Sequence, residues 1–441
     1  MKAFWCERAL LDGGVERGLL VEVDGERIAS LEPGSDSPPP EVTRLKGLVI
    51  PGLANAHSHA FQRLLRGRTQ SGEGSFWTWR ERMYELADAL SPEDCGKVAL
   101  AAFGEMALAG ITTVGEFHYL HHDRGGARYA DPNEIGRAGI AAAREAGIRI
   151  TLLDACYLHG GIGVDAEGAQ RRFSDGDAEA WAERVNELEG GPGVRIGAAI
   201  HSVRAVDPES ASAVAAWSAE REAPLHAHVS EQPAENEACL EAYGRTPTAV
   251  LADAGALGER FTAVHATHLA DSDVSRLGNA NATCCLCPTT ERDLADGIGP
   301  ARRLADAGSR LALGSDSNAV IDPFEEARAV ELDERLASSV RGTHAPADLF
   351  RAATANGHAC LGWPEAGRIE PGALCDLVAV DIESVRLAGT DREDPIAGLV
   401  FAASAADVRD VVVGGRRIVH DGEHLGIDVP RLLQDLSGLL P

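Results

Sequence analysis

The sequence predicts an α/β protein: a (β/α)₈ TIM-like barrel with a small β-sandwich domain built from both ends of the chain. Two observations lead to this fold class. In the middle of the chain, short apolar runs alternate with amphipathic, alanine-rich segments, which is typical of parallel βα units. Near both ends, strand-like segments are joined by glycine-containing turns, which is typical of antiparallel hairpins.

Eight apolar runs in the middle of the chain predict the strands of the barrel. They lie at residues 48–56, 111–117, 148–156, 194–201, 224–230, 262–267, 282–287 and 311–316. Segments with helical periodicity, such as residues 98–108 and 133–146, separate them. Catalytic groups of such barrels lie at the carboxyl ends of the strands, so polar residues at those ends are the candidates for function.

The two chain ends predict the sandwich. Asp24-Gly25 is a two-residue hairpin signal between two strand-like segments, and Gly414-Gly415 separates another such pair. The predicted domain limits are residues 1–50 and 366–428 for the sandwich, 51–365 for the barrel and 429–441 for a C-terminal helix.

Composition excludes several classes of protein. Of the 441 residues, 44% are hydrophobic and 25% charged, as in soluble globular proteins, and no stretch approaches the ~20 apolar residues of a membrane span. The first residues contain no signal-peptide core, so we expect a cytoplasmic location. The net charge of −27 makes nucleic acid and anionic membranes unlikely partners. Nine widely spaced cysteines indicate no disulfide framework.

Histidines and one aspartate stand at the ends of four of the predicted strands. The first run ends in His57-Ser58-His59, and the last ends at Asp316. Between them, the fifth run carries His226 and His228, and the sixth is followed by His265 and His268. Zinc binds neutral imidazole and carboxylate ligands, and a catalytic site leaves one position for water. The pattern therefore predicts a metal centre, although spacing alone does not decide between the members of each histidine pair.

This arrangement resembles the amidohydrolase superfamily. The resemblance implies that the metal ligands are His57, His59, His228 and Asp316. Binuclear members bridge two metals with a carboxylated lysine on the fourth strand, and no lysine follows Lys97 in this chain. We therefore expect a single Zn²⁺, with other divalent transition metals as alternatives.

The resemblance also implies the catalytic residues, which are Glu231, His265 and Asp316. Deaminases of the superfamily place a glutamate three residues after the fifth-strand ligand, and Glu231 has this spacing from His228. In these roles Asp316 accepts a proton from the attacking water, His265 steadies that water, and Glu231 carries a proton to the substrate nitrogen. His226 and His268 are then structural neighbours.

Further stretches resemble those members that deaminate N-formimidoyl-L-glutamate, at residues 57–63, 75–81, 116–123, 201–204 and 287–291. The implied reaction yields N-formyl-L-glutamate and ammonia. Arginine binds carboxylates through two parallel hydrogen bonds, which suits a small dicarboxylate substrate. The implied substrate-binding residues are Gln62, Arg80, Tyr119, His201 and Arg204, with Arg80 in a loop after the first barrel strand.

Two alternatives remain. A different deaminase of the superfamily would act on guanine, a triazine or an adenosine-type compound, for which we expect an aromatic cage; the chain is only 5% aromatic. A non-catalytic binding barrel would have lost a ligand or Glu231, and all are present. The resemblance further implies a homodimer.

Overall fold

The computed structural model describes residues 2–34, 37–71 and 74–439. Residues 440 and 441 of the predicted C-terminal helix lie outside this part of the chain. The strands of the described part are β1 (Lys2–Leu11), β2 (Gly14–Asp24), β3 (Arg27–Glu32), β4 (Thr43–Pro51), β5 (Leu53–Ser58), β6 (Ile111–His118), β7 (Arg149–Cys156), β8 (His159–Gly161), β9 (Val164–Asp165), β10 (Val194–Ile200), β11 (Leu225–Val229), β12 (Phe261–His265), β13 (Thr283–Leu286), β14 (Arg310–Leu313), β15 (Leu377–Val380), β16 (Val408–Val413), β17 (Arg416–His420) and β18 (Glu423–His424).

The predicted barrel is confirmed. Eight parallel strands are hydrogen-bonded in the order β14-β13-β12-β11-β10-β7-β6-β5. The seam between β14 and β5 is closed by backbone hydrogen bonds of one residue. The Asp316 amide donates to the His57 carbonyl at 3.0 Å, and the Asp316 carbonyl accepts from the His59 amide at 2.9 Å. A residue singled out from the sequence therefore also closes the barrel.

The first barrel strand begins later than the sequence predicts. The predicted run at residues 48–56 is divided between β4, which belongs to the other sheet, and β5. Gly52 stands at the division, where a Cβ atom would lie 2.3 Å from the Thr112 hydroxyl oxygen. Apolar periodicity does not reveal this division, because both halves are buried.

The second β domain is likewise built from both chain ends, as predicted. Its strands form the order β18-β17-β16-β15-β4-β1-β2-β3. Gly414 and Gly415, with φ of 54° and 69°, make the predicted tight turn between β16 and β17. A separate small core contains side chains from both ends, among them Phe4, Leu19 and Val412. The domain limits proposed from the sequence stay predictions.

Helices surround the barrel, and several begin at a proline, whose fixed φ suits the first helical position. They are α1 (Phe76–Ala89), α2 (Pro92–Leu108), α3 (Glu134–Ala146), α4 (Ala178–Val185), α5 (Pro208–Glu220), α6 (Pro233–Tyr243), α7 (Pro247–Asp253), α8 (Asp271–Asn279), α9 (Pro288–Asp293), α10 (Ala301–Asp306), α11 (Pro323–Ser338), α12 (Pro346–Arg351), α13 (Gly357–Cys360), α14 (Ile396–Ala402) and α15 (Val429–Asp435). Among the described residues, none of these helices has the length and apolar character needed to cross a membrane.

A buried ion pair joins the two domains. Arg149, at the start of β7, pairs with Asp376, immediately before β15, and both side chains are almost fully buried. Asp376 Oδ1 also accepts the Gly414 amide at 2.8 Å. The second carboxylate near Arg149, Glu26 at 3.2 Å, is more than half exposed.

We expect Asp376→Ala to lower the free energy of unfolding by about 3–5 kcal/mol, because it leaves the buried Arg149 charge with one solvent-screened partner. A urea titration followed by tryptophan fluorescence measures the change. Glu393→Ala is the control, since it removes only an exposed ion pair with Arg17 and should cost less than about 1 kcal/mol. Equal losses in the two variants would contradict the role given to the buried pair.

Candidate active site

The four side chains that the sequence singles out as metal ligands meet at one point. His57 belongs to β5 and His228 to β11, while His59 directly follows β5 and Asp316 lies three residues after the end of β14. Asp316 Oδ1 lies 3.1 Å from His57 Nε2 and 3.3 Å from His59 Nε2. His228 Nε2 lies 3.1 Å from His57 Nε2 and 3.3 Å from His59 Nε2. All four residues are buried.

The protonation of the histidines suits a cation. His59 Nδ1 is 2.9 Å from the Phe117 carbonyl and His228 Nδ1 is 2.8 Å from the His201 carbonyl, so in each ring Nδ1 carries the proton. The Nε2 lone pairs of His59 and His228 then face each other and repel. A positive ion between them would remove this repulsion. Burial lowers the pKa of His57 to about 3 and that of His228 well below its usual value, which keeps these imidazoles neutral, as metal ligation requires.

The carboxylate of the cluster is ionised. Burial alone would raise the pKa of Asp316, but its hydrogen bond with His57 and the nearby His265 hold that pKa below the usual range. An anionic oxygen among neutral imidazoles is the donor set that zinc and similar divalent metals bind.

His265 is part of the same cluster. Its Nε2 is 3.9 Å from Asp316 Oδ2 and 3.7 Å from Glu231 Oε1. Donor atoms of His57, His228, His265 and Asp316 all lie within 4.8 Å of one another, so this second set could also hold an ion. The geometry therefore brings five candidate residues together, two more than a single tetrahedral ion needs beside a water.

Strained backbone aims these side chains at the site. Ser230, His265, Ala266 and Asp316 have positive φ, between 44° and 66°, at the ends of β11, β12 and β14. Residues other than glycine rarely adopt this region and do so at functional sites when their surroundings hold them there. Asn318 supplies part of that hold, because its side chain donates to the His59 carbonyl at 3.0 Å and accepts from Ser315 at 2.6 Å.

A cavity that is partly open to solvent adjoins the cluster. Every residue assigned to catalysis or substrate binding from the sequence lines it: Gln62, Arg80, Tyr119, His201, Arg204, Glu231, His265 and Asp316. Two histidines that the sequence left as alternatives are elsewhere. His226 Nε2 lies 3.2 Å from the Cys360 carbonyl, and His268 Nε2 lies 2.7 Å from the Asp296 carbonyl.

The two arginines of the cavity differ in their surroundings. Arg80 belongs to helix α1 within the connection after β5, where the sequence predicted a loop, and its guanidinium is stacked 4.4 Å from the Trp77 ring centroid. No ion pair links Arg80 to a carboxylate of the described residues. Arg204 lies between two buried carboxylates, 3.7 Å from Glu231 and 3.6 Å from Glu235. Arg80 therefore has its charge free for a ligand.

Glu231 is a buried acid at the cavity wall. Burial raises its pKa above the usual value, while His265 and Arg204 oppose that rise. Glu231 can therefore hold a proton at a pH at which an exposed glutamate has lost it.

Sequence reasoning missed two further buried acids, Glu291 and Glu235. Glu291, on α9, has an oxygen 3.3 Å from His265 Nδ1. It belongs to one of the stretches on which the resemblance depends, but no role followed from that. Glu235 lies in the first turn of α6, four residues after Glu231, and no sequence signal separates it from other helical glutamates.

The barrel and its buried imidazole–carboxylate centre together define a metal-binding hydrolase. A family model described as "Amidohydrolase family" matches residues 48–418. The chain belongs to this family.

Relatives agree with this assignment. A formimidoylglutamate deiminase of Pseudomonas aeruginosa is 38% identical, with 97% of this chain and 96% of the relative covered. A 5-methylthioadenosine/S-adenosylhomocysteine deaminase of Natronomonas pharaonis is 31% identical over 86% and 83% of the two chains. The crystal structure of an amidohydrolase from Brucella melitensis is 36% identical and superimposes with a TM-score of 0.92 over the whole of both chains. The chain is thus an enzyme of the hydrolytic deaminase kind.

Metal content distinguishes the two possible ligand sets. If His59 completes the site, His59→Ala should retain less than about one tenth of the bound metal, since loss of a ligand removes several kcal/mol of binding. His265→Ala should then keep near-stoichiometric metal. Elemental analysis after dialysis against a weak chelator measures both, with His268→Gln as the control outside the cluster. Metal loss from His265→Ala alone would reverse the assignment.

Proposed function

We propose that this enzyme hydrolyses N-formimidoyl-L-glutamate to N-formyl-L-glutamate and ammonia, a reaction of histidine degradation. One observation carries the proposal: a single cavity holds the imidazole–carboxylate cluster, a buried glutamic acid and two arginines. The imidazole–carboxylate cluster suits hydrolysis, the buried glutamic acid suits protonation of a leaving nitrogen, and the two arginines suit a dicarboxylate substrate. The likeness to the Pseudomonas aeruginosa deiminase supports the same substrate.

The proposed cofactor is one Zn²⁺, held by His57, His59, His228 and Asp316. The facing Nε2 lone pairs and the ionised Asp316 support a cation at this point. Zinc bound there would act as a Lewis acid that makes water a nucleophile at neutral pH.

Three side chains orient the attacking water and move the protons of the reaction. Asp316 Oδ2 and His265 Nε2, 3.9 Å apart, face the same region of the cavity, where they orient the attacking water and Asp316 takes its proton. Glu231 protonates the imino nitrogen of the substrate as water adds to the carbon, so that negative charge does not accumulate on the nitrogen. The proton that Asp316 took from the water then passes to the resulting amino group, which leaves as ammonia when the C–N bond breaks, and the remaining hydroxyl proton returns to Glu231 as the formyl C=O forms. The raised pKa of Glu231 supports this role, because an acid catalyst must hold its proton until the transition state.

Substrate binding falls to the polar wall of the cavity. Arg80 and Arg204 bind the two carboxylates of the substrate. Gln62 and Tyr119, joined by a 2.8 Å hydrogen bond, and His201 offer further hydrogen bonds. The free charge of Arg80 supports an anionic ligand, because a partly buried cation gains most from an opposite charge when none is already paired with it.

A deaminase of a planar heterocycle is the second candidate. The cavity is lined by six aromatic side chains, namely Phe76, Trp79, Tyr84, Tyr119, Tyr157 and Phe173. The low aromatic content of the whole chain, taken from the sequence as an argument against such substrates, does not apply locally. A neutral ring, however, would leave the charge of Arg80 without an anionic partner.

The homodimer, the absence of nucleic-acid and membrane partners, and the cytoplasmic location stay predictions.

Ammonia release from a panel of substrates tests the proposed function. Zinc-loaded enzyme should release one equivalent of ammonia from N-formimidoyl-L-glutamate, with a kcat/KM at least about 100-fold above that for guanine or 5′-methylthioadenosine, because only the dicarboxylate uses both arginines. Prior removal of the metal with a chelator should abolish the release, and added zinc should restore it. Release from a heterocycle alone would favour the second candidate.

Two arginines on one helix provide a matched test of the carboxylate site. Arg80→Met should raise KM for N-formimidoyl-L-glutamate by about 10- to 100-fold, the equivalent of losing a charged hydrogen bond. Arg82→Met, two residues further along α1, removes an exposed partner of Glu85 and should leave KM within twofold. Steady-state kinetics at one pH give both values. An unchanged KM in Arg80→Met would remove Arg80 from the binding site.

A further inference from the structure

The imidazole of His265 has acidic side chains beside both of its nitrogen atoms. Its Nε2 edge faces the cavity, where Glu231 and Asp316 lie 3.7 and 3.9 Å away. Its Nδ1 edge faces away from the cavity and lies 3.3 Å from Glu291 Oε1. All four residues are buried, and the Glu291 contact lies on the side of the ring away from the cavity.

Glu291 is itself held firmly. Its Oε1 accepts the amide of Cys287 at 2.9 Å, which fixes the carboxylate over the first turn of α9. The same turn is tied to the segment that carries Asp316, because Thr290 Oγ1 lies 3.3 Å from the Ser315 carbonyl and 3.1 Å from the Ser317 hydroxyl. The helix that carries Glu291 is therefore hydrogen-bonded to the segment that carries Asp316.

A carboxylate at Nδ1 has a definite chemical effect on an imidazole. A carboxylate accepts hydrogen bonds but offers no proton when ionised, so Nδ1 must carry the proton. Nε2 is then left facing the cavity, where it can hydrogen-bond to water. The contact also prevents the ring from flipping, which would exchange the two nitrogens.

We propose that Glu291 is a positioning residue for His265: it fixes the protonated Nδ1 and the ring orientation in which His265 Nε2 hydrogen-bonds to the attacking water. This inference rests on the role given to His265 in the proposed function. Glu291 does not line the cavity, so it acts only through His265.

A purely structural role for Glu291 would be to hold α9 in place. Glu326 already has that role: it is buried, accepts the Thr289 amide at 3.0 Å and binds the Thr289 hydroxyl. Glu326 thus holds the same helix without touching His265. It provides a control that matches Glu291 in burial, residue type and attachment.

The experiment compares Glu291→Leu, Glu291→Gln and Glu326→Gln in the full-length, metal-loaded enzyme. Leucine removes the acceptor, whereas glutamine keeps an oxygen for Nδ1–H and loses the charge. We expect kcat in Glu291→Leu to fall by about 10- to 100-fold, as for partners that orient a functional histidine, with KM within twofold. Glu291→Gln should recover part of that loss, and Glu326→Gln should keep kcat within about threefold.

A second readout needs no substrate. In ¹⁵N-histidine-labelled protein at one fixed pH, the His265 signals, assigned by their loss in His265→Gln, should show a protonated Nδ1 in the parent and in Glu291→Gln. In Glu291→Leu, Nδ1 of His265 should no longer be fully protonated, while the metal content stays constant. If N-formimidoyl-L-glutamate is not a substrate, the tautomer shift still tests Glu291, and kcat is measured with whichever panel compound releases ammonia.

Unchanged kcat and an unchanged His265 tautomer in Glu291→Leu would overturn the proposal. An equal loss of kcat in Glu326→Gln would do so as well, because the effect would then come from α9 as a whole. If Glu291→Leu does not fold, Glu291→Gln decides: a protonated Nδ1 with a reduced kcat supports positioning, and a mixed tautomer with parental kcat contradicts it.

Discussion

The convergence of three buried imidazoles and one carboxylate is the constraint on which the rest of the site depends. His57, His59 and His228 present their Nε2 atoms to Asp316 or to one another within 3.3 Å. The Nε2 lone pairs of His59 and His228 face each other, because Nδ1 carries the proton in both rings. The backbone carbonyls that bind Nδ1, the positive φ angles at the strand ends and the Asn318 hydrogen bonds all hold an arrangement that is favourable only around a cation.

The fold and the centre of the site follow from local patterns in the sequence. Apolar runs alternating with helical segments predict a parallel barrel, and polar residues at the ends of such runs must converge at one face. His57, Asp316 and the fifth-strand pair of histidines could therefore be grouped although long stretches of chain separate them, whereas the choice of His228 within that pair came from the resemblance. The roles of Glu231 and of the two arginines depended on the resemblance to a family, because their spacing alone does not distinguish them from surface charges.

Other features are determined by tertiary contacts that periodicity does not encode. The division of the first apolar run at Gly52 depends on Thr112, which approaches from β6. Glu291 and Glu235 are ordinary helical glutamates until the fold buries them beside His265 and Arg204. The aromatic side chains of the cavity come from several separate segments, so whole-chain composition could not reveal their concentration at one place.

The seam of the barrel has a thermodynamic consequence. Asp316 fastens β14 to β5 through its backbone and presents its carboxylate to His57 and His59 on the opposite side of the same junction. An ion bound there is a reversible cross-link that closes a loop of more than half the polypeptide, the situation in which chain-closure entropy is largest. Ion binding at this junction would therefore stabilise the closed barrel, because it would add a cross-link between the first and last barrel strands.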